Sequence, residues 1–230
     1  MLNLNEIPEI LLADKPKGIT SFDVIRILRR KLGVKKMGHA GTLDPLASGL
    51  MIIGVGSGTK RMEEFLKLPK TYVAEILLGK KTDSGDLAGK ILEEKDASAV
   101  TDEMVREVVE KFSGIHKLAV PMYSAIKVGG SPLYKLARKM EHGTVLSERE
   151  KNIVPPVKEM DVKNAKLLEI LREKEKVLLK VEFDVGSGAY IRTLAEELGR
   201  RLGMPATLQN LRRTKVGEFS IEDEGVMKID

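Results

Sequence analysis

The sequence predicts an α+β fold, a mixed and largely antiparallel central sheet with helices and loops. Three observations predict it. Apolar residues recur with a period of two in some segments and of three to four in others. Strand-like and helix-like segments follow one another irregularly, without the strict alternation of a doubly wound sheet. Several strand candidates are joined by short polar turns, as hairpins are. At 230 residues the chain can bury a sizeable core, and no linker, internal repeat or low-complexity tract divides it, so it reads as a single domain over 1–230.

The elements follow in order. "EILLA" (9–13) reads as a short strand. "TSFD" (20–23) has the form of a capping box, and Phe22, Ile25, Leu28 and Leu32 then give one apolar helical face. The stretch "GHAGTLDPLASG" (38–49) is rich in glycine and reads as a loop. "LMIIGVG" (50–56) is a continuous apolar run, as in a buried strand, and "TKRMEEFLKL" (59–68) reads as a helix stopped by Pro69. In "TYVAEILLG" (71–79), Tyr72, Ala74, Ile76 and Leu78 alternate onto one strand face. "KKTDSGDLAG" (80–89) is turn chemistry throughout. Thr101 opens an amphipathic helix with Met104, Val105, Val108, Val109 and Phe112 on its inner face. "PMYSAIKVGG" (121–130) reads as loop and strand, and "SPLYKLARKM" (131–140) as a helix with proline in its first turn. Residues 143–161 are polar, carry prolines and look least ordered. "AKLLEIL" (165–171) and "VLLKVEFDV" (177–185) flank "REKEK" (172–176) as the arms of a long hairpin. "YIRTLAEELGRRLG" (190–203) reads as a helix with Ile191, Leu194, Ala195, Leu198 and Leu202 inward.

Composition narrows the function. The chain has no cysteine, which removes thiol nucleophiles, disulfides and cysteine-based zinc sites. Its three histidines, His39, His116 and His142, lack metal-ligand spacing, so no metal site is expected. No run reaches the ~18 apolar residues of a membrane span, and "MLNLNEIPEILLADK" lacks the basic start and cleavage site of a signal peptide. A cytoplasmic protein is expected. The formal net charge of +5 suits a polyanionic partner. Two basic clusters stand out: Arg26, Arg29 and Arg30 followed by Lys31, Lys35 and Lys36, and Arg212, Arg213 and Lys215. A single glutamine, Gln209, among many Lys and Glu is a pattern seen in heat-adapted proteins.

Two glycine-rich segments compete for function. "GVGSGTK" (54–60) follows a strand and precedes a helix, as a phosphate-binding loop does, but its GxGxG spacing matches neither the dinucleotide fingerprint nor the Walker loop. The other is 38–49, where Asp44 precedes Pro45. An Asx turn accounts for that pair structurally. The functional reading is a carboxylate acting as nucleophile or base, with glycines letting backbone approach a ligand.

"GHAGTLDPLASGLM" resembles the catalytic motif of tRNA pseudouridine synthases of the bacterial TruB type. The likeness extends through "LLADKPKGITSFDVIR" (11–26), "KTYVAEILLGKKTDSGDLAG" (70–89), "PMYSAIKVGGSPLYKLAR" (121–138), "GAYIRTLAEELG" (188–199) and "LRRTKVGEF" (211–219), in family order and over nearly the whole chain. Val120 departs from the family's first proline before "MYSA", and Thr207 from a frequent histidine. The resemblance implies an isomerase that flips a T-loop uridine of tRNA, position 55 in tRNA numbering, out of its stack and converts it to pseudouridine without metal or organic cofactor. Asp44 falls on the catalytic aspartate, attacking a carbon or removing a ribose proton. His39 is implied to fill the space the base vacates. Tyr72 is implied to stack on the uracil and handle the C5 proton, and Arg192 to pair with the aspartate. Tyr190 and Leu211 are implied to line the uracil pocket, Asp86 to contact substrate, and Lys15 and Lys60 to lie near the pocket and the RNA backbone. The chain is expected to be a monomer, to bind the T stem-loop, and to lack the small C-terminal RNA-binding (PUA-like) domain of many relatives. The alternative expectation is a tRNA-folding chaperone of the same fold without catalysis.

Overall fold

The computed structural model describes residues 7–147, 152–174 and 176–229. Among them, ten strands form one sheet. The first six residues of the segment inspected for a leader, part of the 143–161 segment and Glu175 of the hairpin turn lie outside the described residues.

The chain opens with β1 (Ile10–Lys15) and helix α1 (Ser21–Leu32). The expected capping box is formed: Thr20 accepts from the Asp23 amide and Asp23 from the Thr20 amide. The phase of α1 differs from expectation. Ser21, Val24, Ile25 and Leu28 face inward, the i, i+3, i+4, i+7 set fixed by a helix that starts at Ser21. Phe22, one residue off that stripe, is 56% exposed. The glycine-rich stretch is not all loop. It forms β2 (Met37–Ala40), a turn, and the first residues of β3 (Ala47–Val55), which pairs antiparallel with both β1 and β2. After β3, a 3-10 turn (Gly56–Arg61) leads into the short helix α2 (Met62–Leu66), so of the helix expected over 59–68 only its middle is α-helical.

Strand β4 (Lys70–Leu78) keeps the expected alternation, and the β5 (Lys80–Thr82)–β6 (Ile91–Glu94) hairpin follows. Helix α3 (Asp102–Glu110) is capped by Thr101, as expected, and buries Val105 and Val109, but Met104 in its first turn is 42% exposed. Then come β7 (Gly114–Ala119), the small β8 (Lys127–Val128)–β9 (Ser131–Pro132) pair and α4 (Leu133–Glu141). The long hairpin is β10 (Val157–Glu173) and β11 (Lys176–Val185). It begins inside the segment expected to be least ordered, because residues 157–162 pair with β7. Helix α5 (Ile191–Arg201) leads to β12 (Ala206–Val216), then β13 (Phe219–Ser220) and β14 (Met227–Lys228).

The sheet order is β14-β1-β3-β12-β4-β11-β10-β7, with β2 on β3 and β13 on β12. All pairings are antiparallel except β1–β14 and β3–β12. The α+β expectation therefore holds. The central strand β12 is not legible in the sequence, because its "ATLQNLRRTKV" lacks both an apolar run and clean alternation. It lies between β3 and β4, and its approach to β3 is close. A Cβ on Gly49 would stand 2.2 Å from the Arg213 carbonyl oxygen, and Gly49 has φ +110°, so only glycine fits. The larger core packs α1, α3 and α5 on one side of the sheet, around Ile53, Ile76, Phe183 and Leu194, all fully buried. A smaller core around Leu50, Ile52 and Phe65 covers the other side.

Candidate active site

Asp44 lies in the turn between β2 and β3, at the end of the sheet where β3 and β12 begin to pair through Ala47 and Leu211. The turn is held from inside. The Ser21 hydroxyl, at the start of α1, accepts from the Leu43 amide (2.8 Å), and the Ala47 amide donates to the Asp44 carbonyl (3.0 Å). Asp44 is thus presented by a rigid local structure, which is what the glycines and Pro45 of this stretch achieve.

Arg192, in the first turn of α5, meets Asp44 directly: Nε is 2.9 Å from Oδ2. Its guanidinium is buried and fully directed, with Nη1 donating to the Ser84 carbonyl and Nη2 to the Tyr123 carbonyl, each at 2.7 Å. Three separate segments therefore fix one fork of donors. The turn that offers Ser84 lies close against α5. A Cβ on Gly85 would be 3.3 Å from the Arg192 Cβ, and Gly85 has φ +75°. The Asp44 side chain is 39% exposed and Arg192 only 6%, so solvent reaches the pair from the carboxylate side. Burial pushes the Asp44 carboxyl above its ordinary value; Arg192 pulls it down, and Asp86 pushes it up.

Two connected chambers meet over this pair, sharing Asp44, Arg192, Tyr123 and Ser124 as walls. The smaller, about 320 Å³, is lined by Tyr72, Tyr190, Leu211, Lys70 and Arg213. Tyr72 projects from β4 beside Arg213 of β12 and Phe183 of β11, and its ring is buried, which fits a stacking wall for a planar ligand. Burial pushes the Tyr190 phenol up, with the Ser124 hydroxyl beside it acting the other way. The larger chamber, about 640 Å³, is lined by His39, Asp86, Phe22, Tyr134 and Arg138 among others. Burial pulls the His39 imidazole below its ordinary value and the Arg213 charge adds to that, which favours the neutral ring. Its buried Nδ1 has no hydrogen-bond partner among the described residues. The Asp86 Oδ1 accepts from the Ser84 hydroxyl (2.8 Å) and the Ala88 amide (3.0 Å), which ties the turn at the chamber wall.

Seven of the nine expected residues, Asp44, His39, Tyr72, Asp86, Tyr190, Arg192 and Leu211, line these chambers. Lys15 and Lys60 line neither. Lys15 is fully buried, its Nζ donating to the Pro16 (2.9 Å) and Ile19 (2.7 Å) carbonyls. Burial lowers its pKa to about 8, while the Asp44 charge acts against that. Lys60 is exposed on the 3-10 turn after β3. Sequence reasoning misses Lys70 and Arg213 as walls of the small chamber. The Lys70 Nζ donates to the Leu66 (2.7 Å) and Leu68 (2.6 Å) carbonyls, and burial lowers its pKa to about 8. Arg213 sits in a basic cluster that suggests a surface charge, yet it is 1% exposed, its Nε donating to the Leu50 carbonyl (2.7 Å) and its Nη2 to the Gly41 carbonyl (3.1 Å). The signal available is its phase: two strand positions on from Leu211, it shares a face with a core residue. Among the described residues, no three His, Asp or Glu side chains gather as a metal cage. A carboxylate fixed by a buried arginine, open to a chamber walled by two tyrosines and a leucine, can hold a planar polar ring against a nucleophile or base.

Residues 29–191 match the family described as "TruB family pseudouridylate synthase (N terminal domain)". Residues 192–230 match "tRNA pseudouridylate synthase B C-terminal domain". The boundary between the two falls inside α5, and β12 of the second segment lies between two strands of the first. A protein named tRNA pseudouridine synthase B from Endomicrobium trichonymphae is 39% identical over 219 residues, 95% of this chain and 89% of the relative. One of the same name from Thermosipho melanesiensis is 42% identical over 209 residues, 91% of this chain and 64% of the relative. Among solved structures, a chain of "a Cbf5-Nop10-Gar1 Complex" superposes with a TM-score of 0.68 at 25% identity, covering 98% of this chain and 56% of that one. A chain of an H/ACA RNP bound to a substrate RNA containing 2'-deoxyuridine gives 0.64 at 25% identity, covering 95% and 50%. This chain therefore spans about half the length of those two. No helix among the described residues is long and apolar enough to cross a membrane.

Proposed function

Because this chain belongs to the TruB family of pseudouridylate synthases, we propose that it isomerises the T-loop uridine at position 55 of tRNA to pseudouridine, with Asp44 as its catalytic carboxylate. The observation that carries this reading is the ion pair of Asp44 with the buried Arg192 at the junction of the two chambers.

The reaction moves the uracil from an N1 to a C5 bond with the same ribose, so no atom is gained or lost. The target base leaves its stack and enters the small chamber, between Tyr72, Tyr190 and Leu211. Neutral His39, on the wall of the larger chamber, suits the space the base leaves, since an uncharged ring does not attract backbone phosphate into it. Asp44 then attacks a carbon of the nucleoside or takes a ribose proton. Either route needs an ionised carboxylate, and Arg192 favours that form. The N1 glycosidic bond breaks, the uracil turns, and C5 bonds to the same ribose carbon as Asp44 leaves its adduct or returns the ribose proton. The C5 proton leaves, with Tyr72 facing the ring, and N1 ends protonated. Asp86 contacts the substrate from the larger chamber. Lys60 meets the RNA backbone outside the cleft, and Lys15 supports Asp44 from within the fold. The working form is a monomer acting on tRNA in the cytoplasm.

The test is to incubate the protein with unmodified tRNA, without ATP or added metal, and to map pseudouridine. We expect one modified uridine in the T loop, and an isolated T-arm stem-loop to react as well. Asp44→Asn should lose turnover by more than about 1,000-fold while RNA affinity stays within about threefold, because the amide keeps the turn but cannot act as nucleophile or base. Residual turnover within tenfold of wild type would remove Asp44 from its role.

A further inference from the structure

The feature the mechanism leaves unused is Phe22. The helical pattern assigns it to the core, yet its ring is 56% exposed, on the wall of the larger chamber. A single exposed apolar residue is ordinary on a protein surface. This one differs in what surrounds it. The Arg29 guanidinium lies 5.7 Å from the ring centroid, and its Nη2 donates to the Met37 carbonyl (3.2 Å), which holds the cation in place behind the aromatic face. Arg26 next to it is exposed. Across the same chamber Tyr134 carries Arg138 at 5.6 Å from its ring. The chamber, at about 640 Å³, is twice the volume of the one that takes the target uracil.

We infer that Phe22 is a substrate-binding residue, a stacking platform at the cleft mouth for one unpaired base of the RNA loop beside the target uridine. The inference rests on the reading of the cleft as an RNA site. Single-stranded bases are held by aromatic faces, and cations beside those faces attract the phosphates that follow. Phe22 offers the face and Arg29 the charge beside it; the nearby Arg26 is paired with Asp23. A rigid ring at the start of a capped helix is a preformed platform, so little order is lost when a base settles on it. Phe22 is not needed to hold the helix, whose core contacts come from Val24, Ile25 and Leu28.

The experiment is a binding cycle between ring and base. Affinity is measured for wild type, Phe22→Ala, Phe22→Leu and Phe22→Trp, on a T-arm stem-loop and on versions with an abasic residue immediately 5' or 3' of the target. Phe22→Ala should weaken binding of the intact loop on the order of tenfold and leave the melting temperature unchanged. Phe22→Trp should restore affinity and Phe22→Leu should not. On one of the two abasic loops the wild-type advantage over Phe22→Ala should vanish. Equal affinity of Phe22→Ala and wild type on the intact loop overturns the proposal. So does an undiminished loss on both abasic loops, or full rescue by leucine, because the ring would then be supporting the turn or merely filling space. If wild type binds the loop but forms no pseudouridine, the enzymatic reading fails while the ring is still tested. If it binds no RNA, both fail.

Discussion

The basic cluster of α1 and the basic cluster of β12 read alike in the sequence and are used in opposite ways. Arg26, Arg30, Lys31, Lys35 and Lys36 are exposed along α1 and the loop between it and β2. On β12, Arg213 is 1% exposed between β3 and β4, and Arg212 forks onto Asp14 at 3.2 and 2.8 Å. In that group only Lys215 is exposed. The difference follows from the elements. A helix lying on a sheet leaves half its circumference to water, whereas β12 is closed in between β3 and β4, and a buried charge on it must find partners. Arg213 finds two backbone carbonyls of the turn and strand that carry Asp44. A net positive charge therefore overstates the surface available to a polyanion, and part of it is internal scaffolding for the active site.

The sharpest way to break this comparison is to remove one charge from each region. Arg213→Met keeps length and packing but leaves the Leu50 and Gly41 carbonyls without their donors, and should destabilise the fold by about 3 kcal/mol. That is a fall of roughly 6–12 °C in Tm for a chain of this size. Arg30→Met should stay within about 0.5 kcal/mol. Thermal and denaturant unfolding of the two variants decide it, and similar losses would mean that the two clusters are not distinct.

RNA binding sharpens the contrast from the other side. Changing Lys31, Lys35 and Lys36 to Gln should weaken tRNA binding on the order of tenfold at low salt. The dependence of affinity on salt should flatten by about one unit of slope for each phosphate left without its lysine. Turnover at saturating RNA should be nearly unchanged. An unaltered salt slope would leave the exposed cluster without a role in RNA binding.

The smallest effect concerns proton linkage at the buried end. Lys70 has its pKa lowered from 10.5 to about 8 by burial, with the Arg213 charge adding to it. The unfolded chain then holds this proton between pH 8 and 10.5, where the folded chain has released it, so the contribution to stability rises with pH across that window. With some screening from the open cleft, the stability gap between wild type and Lys70→Met should widen in favour of wild type by about 1 kcal/mol from pH 8 to pH 10. A constant gap would show that Lys70 keeps its ordinary pKa in the fold.

Legibility follows the same division. Elements with one wet face can be read: α3 with its Thr101 cap, β4 with Tyr72, Ala74 and Ile76, and the β10–β11 hairpin. The buried strand β12 cannot, because Thr207 and Arg213 look polar until their partners are known. Thr207 is fully buried, with its hydroxyl 3.0 Å from that of Thr82. Phe22 shows the converse failure. An aromatic residue beside an apolar stripe is easily counted into it, and only the exact start of α1 sets its direction. At the site, the motif likeness picks out seven residues that line the chambers, and with them Lys15 and Lys60, which do not, but it misses Lys70 and Arg213, whose roles depend on how distant turns come together.

The place of β12 also bears on how the protein is made. Strands β1, β2 and β3 can pair among themselves, and so can β4, β7, β10 and β11, but the only described strand that joins the two groups is β12, which arrives late in the chain. During synthesis the two half-sheets emerge with open inner edges, at β3 and at β4, and neither can be sealed until Val216 has left the ribosome. Pairing over such long separations in sequence is slow, and unpaired edges attract other chains. Asp44 precedes β3 and Arg192 follows β11, so the two belong to segments attached to different halves of the sheet that β12 joins. The Asp44–Arg192 pair is therefore expected to form only once β12 has joined the two halves, and the yield in the cell should depend on how quickly that insertion outruns aggregation.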